Sequence, residues 1–408
     1  MSPPASPTAP PAPPVPTSSH CPPTLALFCK VVDNFGDIGI CWRLARQLAR
    51  EHGVRVTLWV DDLRSFGRIC PSIDVEADEQ EVAGVLVRHW RDQEASFVAA
   101  EVADIVIEFF AVDLPPGYLA AMARRSPRPV WFNLEGLSAE EWVEGCHRLP
   151  SMHPRLKLTK HFFFPGFTAK TGGLLHEAGL DAERAAFQAD RGAVARFLAG
   201  FGVGAPELDA LKVSLFCYPH APVAGLLQAW AEGTEPMTCL VPEGVATEAV
   251  AAFLGNGAEP VAGASATHGA LTLRVLPFVA QEDYDRLLWA CDLNFVRGED
   301  SFVRAQWADR PFIWHIYPQE ENLHHKKLRA FLGRHAGGLD AVANFSLGWN
   351  GAAPMASMPA AWRDLRAALP QATVRAGDWR RQVLAHGDLT TNLLEFAGAL
   401  KLAGENPV

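Results

Sequence analysis

The sequence predicts an α/β protein in which two Rossmann-like domains face each other across a cleft, and three observations carry that expectation. Apolar runs of strand length alternate with helical patterns from residue 24 onward, which implies a parallel sheet with right-handed crossovers. A second alternation, over residues 212–319, repeats the architecture without repeating the letters. A length of 408 residues suits two or three domains. The expected organisation is a disordered Pro-rich tail over 1–23, an N-terminal Rossmann-like domain over 24–180 and a C-terminal Rossmann-like domain over 181–375. C-terminal helices fill 376–408, and periodicity leaves open whether they return to the first domain.

The opening stretch MSPPASPTAPPAPPVPTSSHCPP is almost wholly Pro, Ala, Ser and Thr. It has no basic start and no apolar centre, so it reads as a disordered, partly polyproline-like tail and not as a secretory signal. Order begins at TLALFCKVV, a continuous apolar run of the kind found in buried parallel strands. In the following DNFGDIGICWRLARQLAREHG, residues Cys41, Leu44, Ala45 and Leu48 fall at helical spacing, with Arg43, Arg46, Gln47 and Arg50 on another face, and Gly53 ends the helix. The loop between them carries Asp33, Asn34, Gly36, Asp37 and Gly39 at the sheet edge where ligands bind in open α/β folds. That loop lacks GxGxxG, and its two aspartates would repel a pyrophosphate, which disfavours a dinucleotide there.

VRVTLWVDD, GVLVRHW, ADIVIEFFA and PVWFNLEG continue the strands of the first domain. The aromatic group FFFPGF, at 162–167, reads as interdomain packing, and the helical DAERAAFQADRGAVARFLAGFG leads into the second domain. There KVSLFCY, MTCLVP, LTLRVLPF and CDLNFV alternate with PVAGLLQAWAEG, VATEAVAAFLGNG and QEDYDRLLWA. Beyond Gln319 the segments ENLHHKKLRAFLGRHA, AAWRDLRAAL, DWRRQVLAH and LTTNLLEFAGALK are all helical in pattern.

FVRGEDSFVRAQWADRPFIWHIYPQ, at 295–319, reads as strand, turn, helix and strand. Gly298 permits a turn that a side chain would obstruct, and the helix start after it presents unpaired amides carrying partial positive charge. With Arg297 before it and the Ser301 hydroxyl within it, this corner suits a diphosphate. The same letters also fit a structural helix whose acidic residues favour its positive end, just as Asp33 or Asp37 would serve to cap the helix near Ile38.

Composition narrows the function classes. A formal net charge of −10 argues against a general nucleic-acid surface. Eight scattered cysteines without CxxC read as buried thiols in a reducing, cytoplasmic setting. No apolar run reaches membrane-spanning length. No HExxH, DxD or Cys/His cluster with ligand spacing is evident, and the His324–His325 pair sits in a basic helical stretch, so no metal and no cofactor is expected.

Acidic loop residues in one Rossmann-like domain and an anion-binding helix start in the other describe a GT-B nucleotide-sugar glycosyltransferase, a class that stabilises its leaving diphosphate with amides, Arg and hydroxyls. DNFGDIGICWRLARQLA, SLFCY and LPFVAQEDYDRLLWACDLNFVRGEDSFVRAQWADRPFIWHIYPQ, with the following ENLHHKKL, resemble the bacterial protein-arginine rhamnosyltransferases that modify elongation factor P. The resemblance runs from about residue 24 to the C-terminus and implies transfer of L-rhamnose from dTDP-β-L-rhamnose, with inversion, to an arginine of that factor. It also implies roles by position. Asp37 matches the catalytic carboxylate, with Asp33 beside it on the acceptor side, and Glu299 matches the second essential acid. Arg297, Asp300 and Ser301 match positions that hold the diphosphate or shape its site. Phe278 and Gln281, with Tyr284 near, match the thymine segment, and Tyr218 and Tyr317 match aromatics by the donor. Pro219 departs from the more polar family text after Tyr218.

The chemistry makes paired carboxylates intelligible. A guanidinium is protonated at physiological pH and a poor nucleophile, so a carboxylate that orients it and accepts a proton as the C–N bond forms is needed. Two other readings keep the same architecture: a sugar-nucleotide enzyme with another acceptor or an epimerase activity, and a non-catalytic nucleotide-sugar sensor.

Overall fold

The structure, a computed structural model, describes residues 22–32, 35–91, 97–255 and 257–405, with side chains through residue 403. The Pro-rich tail up to residue 21 and the candidate residue Asp33 lie outside the described residues.

Among the described residues the front domain is built on eight strands: β1 (Thr24–Cys29), β2 (Arg55–Val60), β3 (Glu79–Val82), β4 (Val85–His89), β5 (Ile105–Phe109), β6 (Val130–Leu134), β7 (Pro150–Met152) and β8 (Thr159–Phe163). They lie in the order β3-β4-β2-β1-β5-β6-β8-β7. The central strands are parallel and buried on both faces, which is why TLALFC and IVIEF show no alternation. Both edges are closed by short antiparallel strands, β3 on β4 and β7 on β8, too brief and too polar to announce themselves by pattern.

The rear domain carries β9 (Leu211–Leu215), β10 (Met237–Pro242), β11 (Ser265–His268), β12 (Leu271–Leu276), β13 (Leu293–Arg297) and β14 (Phe312–His315), in the order β11-β12-β10-β9-β13-β14. In each sheet the direction of winding reverses once, between β1 and β5 in front and between β9 and β13 behind. Ligands bind outside the carboxyl ends of strands at such switch points. The loops after β1, β9 and β13 are therefore the expected site, and Asp37, Tyr218 and Arg297–Glu299 lie on or directly beside them.

Phe167, the last ring of FFFPGF, packs across the domains on Phe302, Phe331 and Trp379, with ring centroids 6.2, 5.6 and 5.5 Å away. Phe163 instead packs within the front sheet, 5.8 Å from Phe132. The segments AAWRDLRAAL and DWRRQVLAH form one helix, Met358–Leu384, which runs through Pro370. An interior proline costs about 3 kcal/mol, but Leu365, Ala368, Leu369, Ala372, Ala376, Trp379 and Val383 form one buried stripe on both sides of it, and burying that stripe keeps the helix continuous. Trp362 packs on Trp230 of the rear domain, 5.4 Å away. The final helix, Leu389–Glu405, lies on the front sheet: Phe396 meets Phe132 at 5.8 Å, and Leu389 donates its N–H to the Leu174 carbonyl at 2.9 Å. Among the described residues no helix is long and apolar enough to cross a membrane.

Candidate active site

The helix Gly36–His52 starts directly after the β1 loop. Asp37, in its first turn, is only 4% exposed, and its Oδ2 accepts the Val32 N–H at 2.7 Å. The carboxylate is thus turned back over the β1 loop by its own backbone, at the carboxyl edge of the sheet. Across the cleft, β13 ends at Arg297, Gly298 takes φ 62°, and the helix Asp300–Trp307 begins. Glu299 precedes that helix without capping it through its side chain. Its Oε2 accepts the Leu137 N–H of the front domain at 3.1 Å, so the carboxylate reaches over the gap. Gly136 makes room for it: a Cβ there would stand 3.0 Å from Glu299 Oε1.

Two cavities adjoin at this point. One, open and of about 700 Å³, is lined by Phe278, Gln281, Tyr284, Arg297, Asp300 and Ser301 among others. The other, of about 1100 Å³, is lined by Asp37, Glu135, Glu299, Tyr317 and Lys327 together with Phe110 and neighbouring apolar groups. Both include Gly36 and Gly298 in their walls, so the two glycines form the neck between them. Every predicted donor residue except Tyr218 and Tyr317 lines the first cavity, while the described candidate acids Asp37 and Glu299 line the second.

The side chains differ in how free they are to meet a ligand. The Arg297 guanidinium lies over the Phe216 and Tyr218 rings, 4.2 and 5.0 Å from their centroids, and donates to the Cys217 carbonyl at 3.2 Å. Ser301 Oγ donates to the Arg297 carbonyl and accepts its N–H at 3.1 Å, so the hydroxyl braces the turn. Asp300 is drawn to Arg43 of the front helix, Nε to Oδ1 at 2.9 Å; burial outweighs Arg43 and Arg304 and pushes its carboxyl up. Gln281 is buried, with its amide given to the Gly39 carbonyl at 3.0 Å. Phe278 is exposed and meets Phe35 edge-on at 5.0 Å. Burial pushes the phenol of Tyr284, close to Ser301, above its ordinary range. Tyr317 is 44% exposed and meets Tyr218 edge-on at 5.7 Å.

Sequence reasoning missed two parts of this neighbourhood. The first is ionic. Arg43, placed by periodicity on a polar face, is 2% exposed, because the helix Gly36–His52 is covered by the rear domain as well as by its own sheet. Its Nη1 and Nη2 each lie 3.0 Å from the two Asp285 oxygens. Arg304 grips the same carboxylate at 3.0 and 2.8 Å and reaches Glu177 Oε2 at 2.6 Å. Burial pushes Glu177 up, but Arg304 and Arg43 together outweigh it and hold the carboxyl at about 2. The partners lie far apart in the chain, and periodicity carries no signal for them.

The second is a histidine pair behind the aromatic wall. His315 ends β14, fully buried; its Nδ1 accepts the Tyr218 N–H at 3.1 Å, and its Nε2 lies 2.9 Å from His220 Nε2. An Nδ1 that accepts leaves the proton of a neutral ring on Nε2, which then donates to His220. Burial, with His220 and Arg297 nearby, holds His315 at about 3, and burial holds His335 at about 3 as well. These folded-state values lie below the unfolded one, so protons bind the unfolded chain first and stability falls as pH drops from about 6.5 toward 3. Chemical unfolding at pH 5 should therefore show a loss of about 2 kcal/mol for each such histidine relative to pH 7. His315→Gln should flatten that slope, and an unchanged slope would contradict this origin.

A front lobe presenting acids and a rear lobe presenting an arginine and a helix start, each at the switch point of its sheet, constitute the GT-B architecture of glycosyltransferases. Residues 25–398 match the family described as elongation factor P (EF-P) rhamnosyltransferase EarP. A protein-arginine rhamnosyltransferase of Pseudomonas putida is 49% identical over 378 residues, spanning 91% of this chain and 98% of that protein. One from Shewanella oneidensis is 38% identical over 384 residues, spanning 91% and 96%. The solved structure that gives the structural basis for EarP-mediated arginine glycosylation of translation elongation factor EF-P superposes with a TM-score of 0.63 at 36% identity, covering 92% of this chain and 98% of that one. The chain belongs to the EarP family of elongation factor P arginine rhamnosyltransferases.

Proposed function

We propose that this protein transfers L-rhamnose from dTDP-β-L-rhamnose to an arginine side chain of elongation factor P with inversion at the anomeric carbon. The observation that carries the reading is the neck at Gly36 and Gly298, with the acids on one side and the arginine and helix start on the other. In this reading the diphosphate lies at the Gly298 turn, against the first amides of the helix Asp300–Trp307 and the charge of Arg297. The thymine lies by the exposed ring of Phe278, near Tyr284. The acceptor guanidinium enters the second cavity, where Asp37 and Glu299 supply the opposite charge, and one nitrogen faces the sugar through the neck.

As the C–N bond forms, the bond from the anomeric carbon to the phosphate oxygen breaks and its electron pair leaves with dTDP. The proton displaced from nitrogen passes to the Asp37 carboxylate, which lines the second cavity and is buried enough to exchange little with bulk water. Glu299 holds the guanidinium or the sugar from the rear side; its bond to Leu137 fixes it in the gap. Rear-lobe donors then face charge that develops on the departing phosphate. Because the acceptor is a translation factor, we place the reaction in the cytoplasm.

Incubation with dTDP-rhamnose and elongation factor P, read by intact mass, should show one deoxyhexose added to a single arginine. Donor conversion without a protein adduct would point to an epimerase instead. Arg297→Ala should weaken dTDP binding about tenfold or more by calorimetry, because a charge-assisted contact is lost. Ser301→Ala should cost less, since its hydroxyl is committed to the Arg297 backbone. Equal losses in the two variants would argue against this division of labour.

A further inference from the structure

Asp300 presents a difficulty for any anionic donor. It is the first residue of the helix whose start faces the first cavity, and it lines that cavity beside Arg297 and Ser301. A carboxylate there would repel a diphosphate, yet it stays paired. Arg43 Nε, 2.9 Å from Oδ1, meets it from the front domain, and the Gln281 amide stands 3.4 Å from Oδ2. The two remaining Arg43 nitrogens are fixed by Asp285, itself held by Arg304, so the guanidinium has little freedom to leave. Gly39, one helical turn before Arg43, lets the two domains close: a Cβ there would stand 3.1 Å from Asp300 Oδ2.

From this geometry we infer that Arg43 is a positioning residue for donor binding, neutralising Asp300 across the domain interface so that the Gly298 corner presents positive charge to the diphosphate. The inference rests on the donor-site reading above. Because Arg43 shares a helix with Asp37, the same ion pair sets the distance between the acid of the front lobe and the anion site of the rear lobe. Donor affinity and domain closure are then one property: an open cleft leaves Asp300 charged and unpaired, and the site is electrostatically correct only when the lobes have met.

The test is calorimetry with dTDP on the full chain. Arg43→Met should weaken binding about tenfold, as expected for a like charge left facing the ligand. Arg43→Met combined with Asp300→Asn should recover binding to within about threefold of wild type, since the repelling group is gone while Asp285 keeps Arg304. Asp300→Asn alone should tighten dTDP about threefold at low ionic strength. Recovery in the double variant separates this role from a merely structural one. A double variant as weak as Arg43→Met would overturn the inference. So would a tenfold loss in Asp300→Asn, which decides the matter even if Arg43→Met does not fold. Absence of dTDP binding by the wild-type chain would instead overturn the donor-site reading itself.

Discussion

Asp37→Asn is expected to lower turnover about a thousandfold while leaving dTDP binding intact, the size of effect seen when a positioned general base is lost. The substitution keeps the side chain's volume and an oxygen that accepts the Val32 N–H, so the turn at the start of the helix should persist. What disappears is the capacity to take a proton. The guanidinium, protonated at any pH the enzyme meets, then has no group to release that proton to while the C–N bond forms. In the proposed arrangement donor affinity is governed by the other cavity, which Asp37 does not line. Steady-state rates with elongation factor P, alongside calorimetry with dTDP, separate the two. Turnover above a tenth of wild type would rule Asp37 out as the base, and a large loss of dTDP affinity would place it at the donor.

The second large effect concerns the domain interface. Arg304→Met should lower unfolding free energy by about 3–5 kcal/mol, the usual result of removing one partner from a buried ionic group. Arg304 is 2% exposed and satisfies both oxygens of Asp285 as well as Glu177. Without it, Glu177 loses the stronger of the two charges that hold it near 2, and Asp285 must share Arg43. Methionine fills much of the volume, so the cost is electrostatic. Urea denaturation at pH 7 gives the number; a loss below 1 kcal/mol would mean that water or Arg43 takes over both carboxylates.

What could be read from the letters was what depends on neighbours in sequence. The strand, glycine turn and helix at Phe295–Trp307 are local, and so are the β1 loop and the helix bearing Asp37. Their convergence was legible through topology, because parallel strands deliver their carboxyl-end loops to one edge. The Arg43–Asp285–Arg304–Glu177 cluster was not legible, since its members come from three helices and the loop before Leu180, and each looks locally like a solvated charge. Nor was His315, hidden in an apolar run where one polar letter breaks no pattern. AAWRDLRAAL and DWRRQVLAH read as separate segments, yet their helix runs on through Pro370, because a buried stripe that only the assembled domains provide overrides the local breaker.

The neck between the cavities is made by Gly36 and Gly298, residues with no side chain. At the spot where, in the proposed reaction, the sugar changes hands, these two residues offer only main chain. Main-chain groups cannot be altered one at a time by mutation, so evolution can retune either chamber, the nucleotide's or the arginine's, without touching the passage. New sugars or acceptors would accordingly arise from the chambers, whereas a side chain at Gly298, whose φ is 62°, would strain the turn that shapes the passage.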